Sequence, residues 1–338
     1  MGAPGHAVAV VCNANFATLN HPPYADDAME RELGLRGRDG RRTPAAAAIV
    51  EFAAMTARIG ELPEFRRDAV CILSRNQDSW GVAYTSFILA KQAGFDLEFQ
   101  TVEQPLRDAD FYLLPAIGTT EPVPLGFYRA LLEKVAAGAT LLVSWAGGVL
   151  QPFEEVFQLR PEWRETHAQP WQMRFAEAPD HEPGLEFRQS LRLVCTTTGA
   201  ELLAADDAGH PVFTAGRCGN GRVLFLGVGL ESELADVPGA FGGAEGGNYW
   251  RIYACAARLA GVRRLMYSGD PRVTLTEHFH SSGKATVVAV NNSPETLNMT
   301  FRPEPGWRRT DAAAGTSCVM PPNSGHILTL TKEEEGKQ

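Results

Sequence analysis

The chain has 338 residues, 44% of them hydrophobic and 21% charged, with a net charge of −9. That composition belongs to a globular chain able to bury a core, and the negative balance argues against a nucleic-acid partner, whose phosphates need clustered Lys and Arg. Six scattered cysteines without a C-x-x-C pair argue against a zinc ribbon or a dithiol redox centre, and no apolar run reaches the length of a membrane span.

The expectation is a cytoplasmic protein with reduced thiols, no metal or other cofactor, and no nucleic-acid or membrane partner. The densest basic stretches, Arg36 to Arg42 and Arg263–Arg264, are short and are expected to be solvated.

The first 62 residues read as one strand and one helix. Val8 and Val10 alternate in "HAVAVVCN", a strand with nothing before it to pair with. A Pro- and Asp-containing loop leads to Thr43 as N-cap, Pro44 at the first helical position and Gly60 as stop. Within that helix Ile49, Phe52, Ala53, Thr56 and Ile59 fall near one face. A single βα pair is too small to bury a core of its own.

Residues 63–265 alternate strands and helices. "AVCILS" (69–74) is a buried strand, and Ser79 is placed to cap a helix that Gly94 ends. "FDLEFQTV" (95–102) and "DFYLLPAI" (110–117) are strands. A helix opens at Pro122 and closes at Gly138, "ATLLVSW" (139–145) follows, and 150–215 is irregular with strand candidates at 191–195 and 201–204. "GRVLFLGVG" (221–229) resumes the sheet and residues 248–261 form a last helix. This order implies a doubly wound open sheet of the flavodoxin-like type.

From about residue 266 the pattern changes to period two. "RVTLTEHFH", "KATVVAVNN", "LNMTFRP" and "HILTLT" are separated by Gly- and Pro-bearing turns, which reads as a small antiparallel β-sandwich over 266–332 with a frayed tail at 333–338.

The order of these parts resembles the C-terminal portion of a family 42-type β-galactosidase or a related barrel glycosidase. The residues that carry the resemblance are Pro22-Pro23-Tyr24, Glu30 to Leu35, Arg38-Asp39-Gly40 and Pro44-Ala45, together with "FYLLPAI…LLEKVAAGATLLVS" (111–144) and "GNGRVLFLG" (219–227). The resemblance implies that residues 1–62 are the last βα unit of a (β/α)₈ barrel, an incomplete TIM-barrel remnant whose first seven strands lie outside this sequence. It also implies that 63–265 is a flavodoxin-like, class I glutamine amidotransferase-like "trimerisation" domain.

Retaining glycosidases need an acid/base and a nucleophile carboxylate about 5–5.5 Å apart. In the resembled enzymes these sit on the fourth and seventh barrel strands, so the resemblance implies that this chain holds no catalytic residue. Its substrate contacts would be Asn13, Asn15, Phe16 and Tyr24 at the end of the eighth strand, where the family more often has Trp and Asp. The implied partners are further copies of the chain, in a trimer or another homo-oligomer, or a separate chain carrying the rest of the barrel, with carbohydrate bound weakly or not at all.

Two readings of other classes compete: a stand-alone flavodoxin-like ligand-binding or regulatory module, and an amidotransferase-like enzyme. The latter needs a Cys nucleophile on a strand-to-helix elbow, whereas the matching turn, "LVSWAGGV", offers Ser144 and Trp145. Glu231 and Glu233 follow a strand where ligands of open α/β sheets gather; as an extended pair they would point to one side, and as the start of a helix they would cap it. The Gly-rich stretch 239–248 precedes a helix but lacks a Walker Lys, and reads as a surface loop. His278 and His280 alternate on a strand, where a polar outer face explains them without metal. Of the tryptophans, Trp145, Trp163, Trp171, Trp250 and Trp307 are sugar-platform candidates or ordinary packing. Residues 151–190 read as an excursion beyond the sheet and a candidate subunit contact.

Overall fold

The computed structural model describes residues 35–36, 40–177, 182–188, 191–241, 247–280, 283–311 and 317–333. The expected strand at 6–13, and with it the reading of that segment as an eighth barrel strand, lies outside the described residues. The chain divides into two compact units, Met1–Phe65 with His278–His280, and Arg66–Glu277 with Ser281–Gln338.

In the first unit α1 (Pro44–Ile59) starts and stops where its sequence says. Thr43 Oγ1 accepts from Ala46 N at 3.3 Å. Gly60, at φ +72°, gives its N–H to Thr56 O. Its apolar residues are only partly covered: Val50 and Phe52 are 49% and 41% exposed. Phe65 makes a bridge to His278.

The second unit is built on a nine-stranded sheet in the order β2-β1-β3-β4-β11-β10-β9-β6-β7. The strands are β1 (Ala69–Leu73), β2 (Leu97–Thr101), β3 (Phe111–Ile117), β4 (Thr140–Trp145), β6 (Trp171–Phe175), β7 (Leu185–Phe187), β9 (Glu201–Asp206), β10 (Pro211–Cys218) and β11 (Gly221–Leu226). The first five in spatial order pair in parallel and the rest antiparallel.

Both faces of the parallel part are covered, so its strands read as continuous apolar runs. The period of two divides them between two cores. Cys71, Phe111 and Leu224 pack with α2 (Ser79–Ala93), α5 (Leu230–Ala235) and α6 (Trp250–Leu259). Ile72, Tyr112 and Val143 pack with α3 (Leu125–Ala137) and α4 (Glu154–Phe157).

Two helix starts differ from expectation. Asp78, not Ser79, caps α2 through Oδ1 and Gly81 N at 3.1 Å. α3 begins at Leu125 rather than Pro122, because Pro124 forces Val123 away from helical backbone.

The larger difference is residues 150–215, where the described residues hold the helix α4 and six strands, the last of them, β10, running on to Cys218. β5 (Leu159–Thr166) and β8 (Leu191–Thr197) make a separate antiparallel ribbon. β5 carries no hydrophobic alternation because, after Leu159, neither of its faces is buried.

The remaining strands are β12 (Met266–Tyr267), β13 (Val273–His280), β14 (Lys284–Asn291), β15 (Leu297–Met299), β16 (Arg302–Pro303), β17 (Trp307–Arg309), β18 (Cys318–Met320) and β19 (Gly325–Lys332). They form three small sheets, β13-β14-β19-β17, β15-β18 and β12-β16. Leu275, Val287, Met299, Met320 and Leu328 share one core among them.

Candidate functional site

The carboxyl edge of the parallel strands is where an open α/β sheet presents its loops. A cleft of about 440 Å³ opens there between the loops after β1, β3 and β4, lined by Arg75, Pro122, Leu125, Tyr128 and Val149. A second, of about 260 Å³, adjoins it across Val149–Gln151 and is lined by Trp145, Phe153, Trp163 and Leu193. Arg75 is engaged by Glu103 at 2.6 Å.

The turn after β4 carries the residues weighed as a nucleophile elbow. Its glycines serve packing: Gly147 adopts φ +101°, and a Cβ on Gly148 would lie 2.6 Å from Gly118 O. Trp145 Nε1 donates to Gly148 O at 2.8 Å. Ser144 is buried within the strand, and its role follows from an irregularity in β3. The β3–β4 register slips between Leu114 and Ile117, and Ala116 is left at φ +48°. Ala116 N–H donates to Ser144 Oγ at 2.6 Å, and Ser144 Oγ–H donates to Glu231 Oε2. Tyr253 O–H donates to the other oxygen, Glu231 Oε1, at 2.7 Å. The chain Ala116–Ser144–Glu231–Tyr253 therefore satisfies a bulge. Cys71, beside it, is buried, and burial pushes its thiol well above the ordinary range, so it offers no thiolate at neutral pH.

Glu231 and Glu233 are not an extended pair facing one way. Both lie in the first turn of α5, with Glu231 fully enclosed and Glu233 half-buried. Burial raises both carboxyls, Glu233 to about 8, with the charge of Glu231 a further cause.

Two buried ionic clusters carry no sequence signal. In the first, Arg264 pairs with Asp68, with Asp96 at 3.0 Å and with Glu277 at 3.3 Å. Lys91 Nζ reaches Asp96 Oδ1 at 2.6 Å and donates to Leu275 O at 2.7 Å, while Arg66 pairs with Asp68 at 2.6 Å. Arg264 is thus 3% exposed rather than solvated. In the second, Arg192 lies 4.9 Å over the Trp171 ring and pairs with Glu165 and Asp206, each at 2.6 Å. His167 and His210 contact those two carboxylates at 2.9 and 3.1 Å. The partners of Arg192 lie 27 and 14 positions away, and no motif spacing announces them.

Of the predicted contact residues, Asn13, Asn15, Phe16 and Tyr24 lie outside the described residues, as do 242–246 of the Gly-rich stretch. His278 is not on a polar outer face: it is buried, and its Nδ1–H donates to Pro63 O at 2.7 Å, while Phe279 is the exposed neighbour. Among the described residues no group of three or more His, Cys, Asp or Glu is arranged to hold a metal ion, and no helix is long and apolar enough to cross a membrane. Trp145 and Trp171 are buried, Trp250 and Trp307 half-buried, and Trp163 is 49% exposed.

No family model matches the chain, and no curated protein does. Solved structures do. The β-galactosidase from Bacillus circulans sp. alkalophilus superposes with a TM-score of 0.63 at 15% identity, over 89% of this chain and 48% of that one. The β-galactosidase from Rahnella sp. R3 gives 0.64 at 13%, over 88% and 46%. The β-galactosidase from Halorubrum lacusprofundi gives 0.62 at 17%, over 90% and 45%. The chain has the fold of a part of these glycoside hydrolases and spans less than half of their length.

Proposed function

We propose that this chain is the C-terminal portion of a glycoside hydrolase of the β-galactosidase type, non-catalytic by itself, and that it holds copies of the enzyme together. The observation that carries the reading is the asymmetry of the match: 88–90% of this chain corresponds to 45–48% of each enzyme. The finer assignments have their own support. Parallel strands in the order β2-β1-β3-β4-β11, with helices on both faces, suit a flavodoxin-like domain. Small antiparallel sheets around one core suit a terminal β-sandwich. The capped helix α1, after Arg38-Asp39-Gly40, suits the last helix of a barrel. The two carboxylates of retaining glycosidases belong, in this reading, to barrel strands that this sequence does not carry. Purified chain is expected to hydrolyse nitrophenyl β-galactoside no faster than buffer; turnover that scales with protein concentration overturns the reading.

Self-association is supported by α2. Its inner face buries Val82, Ser86 and Leu89, yet Trp80, Tyr84 and Phe87 on the opposite face are 83%, 49% and 47% exposed. Positions i, i+4 and i+7 stand in one row on a helix, and although Tyr84 also meets the Phe241 ring edge-on at 6.1 Å, a row of part-exposed aromatics suits an interface. In sedimentation the chain is expected to run as an oligomer. The double substitution Trp80→Glu and Phe87→Glu is expected to weaken association by at least about 100-fold with the circular dichroism spectrum unchanged. A monomeric parent chain rules the interface out.

A further inference from the structure

A cleft of about 590 Å³ lies between the C-terminal ends of α2 and α6 and the turn after β12. That is the size class of small-molecule sites, about 300–1,000 Å³. Two rings stand in its wall. Trp250, half-buried at the start of α6, is oriented by a hydrogen bond from its Nε1–H to Asn248 Oδ1 at 3.4 Å. Tyr267, 45% exposed, is tethered through its hydroxyl, which accepts from Arg264 N at 3.4 Å. Ala254, one helical turn beyond Trp250, and Gly94, Gly261 and Gly269 add no bulk to the lining.

The charges of the lining do not cancel. Arg258, Arg263 and Arg264 are set against Asp270 alone. Arg264 is spent on Asp68, Asp96 and Glu277. The Asp270 carboxylate is spent on Arg272, which forks to its two oxygens at 3.0 and 2.7 Å. Two guanidinium groups are left over. Arg263 is exposed, and its side chain has no ion-pair partner among the described residues. Arg258 has Glu177 at 3.9 Å, with the two side chains 64% and 88% exposed, so water competes with that pair. The C-terminal ends of α2 and α6 oppose them with about half a negative charge each. Two full charges exceed that sum, and the excess is positive on a chain whose net charge is −9.

We propose that this cleft binds a small organic anion that carries a flat aromatic ring, the chemistry of a nucleoside monophosphate. A phosphate presents the oxygens onto which the guanidinium groups of Arg258 and Arg263 can fork. A purine presents a face that stacks on Trp250 or Tyr267. Charge alone would draw any anion and rings alone any apolar molecule; the lining offers both, so it selects a ligand that has both. The proposal does not rest on the β-galactosidase reading, and either can fail without the other.

The test is calorimetric titration of the full chain with adenosine monophosphate, with adenosine as the ring without the charge and inorganic phosphate as the charge without the ring. Saturable binding of the nucleotide is expected, at least about tenfold tighter than of either control, and weaker as salt is added. Arg263→Ala removes the unpaired guanidinium and Tyr267→Ala removes one ring; each is expected to weaken nucleotide binding by at least about tenfold. Arg263 is exposed, so its variant keeps the test valid if Tyr267→Ala perturbs folding, which the denaturation midpoint reports. No saturable nucleotide binding, adenosine or phosphate bound as tightly as the nucleotide, binding indifferent to salt, or binding untouched by Arg263→Ala overturns the proposal.

Discussion

Replacing Arg264 by alanine is expected to destabilise the chain by about 3–5 kcal/mol, the cost of breaking a buried ion pair by removing one partner. The expected readout is a large fall in the urea midpoint. The network is balanced, with Arg66, Lys91 and Arg264 set against Asp68, Asp96 and Glu277. The side chains of Asp68, Asp96 and Glu277 are 1%, 5% and 0% exposed, so water does not replace a lost cation. Burial already raises the Glu277 carboxyl and the Arg264 charge lowers it, so without Arg264 the folded chain would hold the Glu277 proton more tightly still. Stability of such groups is present at low pH and lost as pH rises, so the deficit of the variant is expected to be larger at pH 8 than at pH 5. Arg264→Lys is expected to recover part of it, because an ammonium keeps the charge but cannot fork to three carboxylates at once. The network joins residues that precede β1 and β2 to β13, so its loss is expected to loosen the antiparallel strands from the α/β sheet, seen as faster amide exchange in β13. An unchanged midpoint would show that the cluster contributes nothing to holding the fold.

Glu233→Gln is expected to stabilise the chain at alkaline pH by on the order of 2–4 kcal/mol and to leave it nearly unchanged at pH 4. The ordinary glutamate value is 4.5, and burial with the nearby Glu231 charge raises Glu233 to about 8. A folded value above the unfolded one means the folded chain grips the proton more tightly. Its contribution is complete below pH 4.5 and is lost progressively as pH rises to 8. Gln mimics the protonated form and lacks that loss. Denaturation midpoints of the two proteins are therefore expected to diverge across this window, with a residual slope in the variant from Glu231, which burial shifts in the same direction. Parallel midpoints from pH 4 to 9 would contradict the shift.

Much of the fold was legible because its signals are local. Thr43, Pro44 and Gly60 bound α1 as read, since a cap needs only its own turn. The apolar runs of β1, β3, β4 and β11 are strands because both faces of a parallel sheet are covered. The strand β5 escaped because its pattern is polar on both faces, and β8 was read without its partner because the pairing is with that hidden strand. The candidate site was less legible. Ser144 and Glu231 are chemically suggestive in sequence, yet their hydroxyl and carboxylate are occupied by the bulge at Ala116 and by Tyr253.

By itself the amino-acid order determined the long helices, the apolar strands of the parallel sheet and the change from alternating α/β to period-two β near residue 266, but not the strands β5, β6, β7 and β10. Only the tertiary structure decided that Arg264 is buried while its neighbour Arg263 is exposed, that His278 turns inward and Phe279 outward, and that Trp250 and Tyr267 share a cleft. Helix caps and alternation depend on residues a few positions apart, whereas the environment of a charge or a ring depends on groups up to about two hundred positions away, which meet only when the sheet closes.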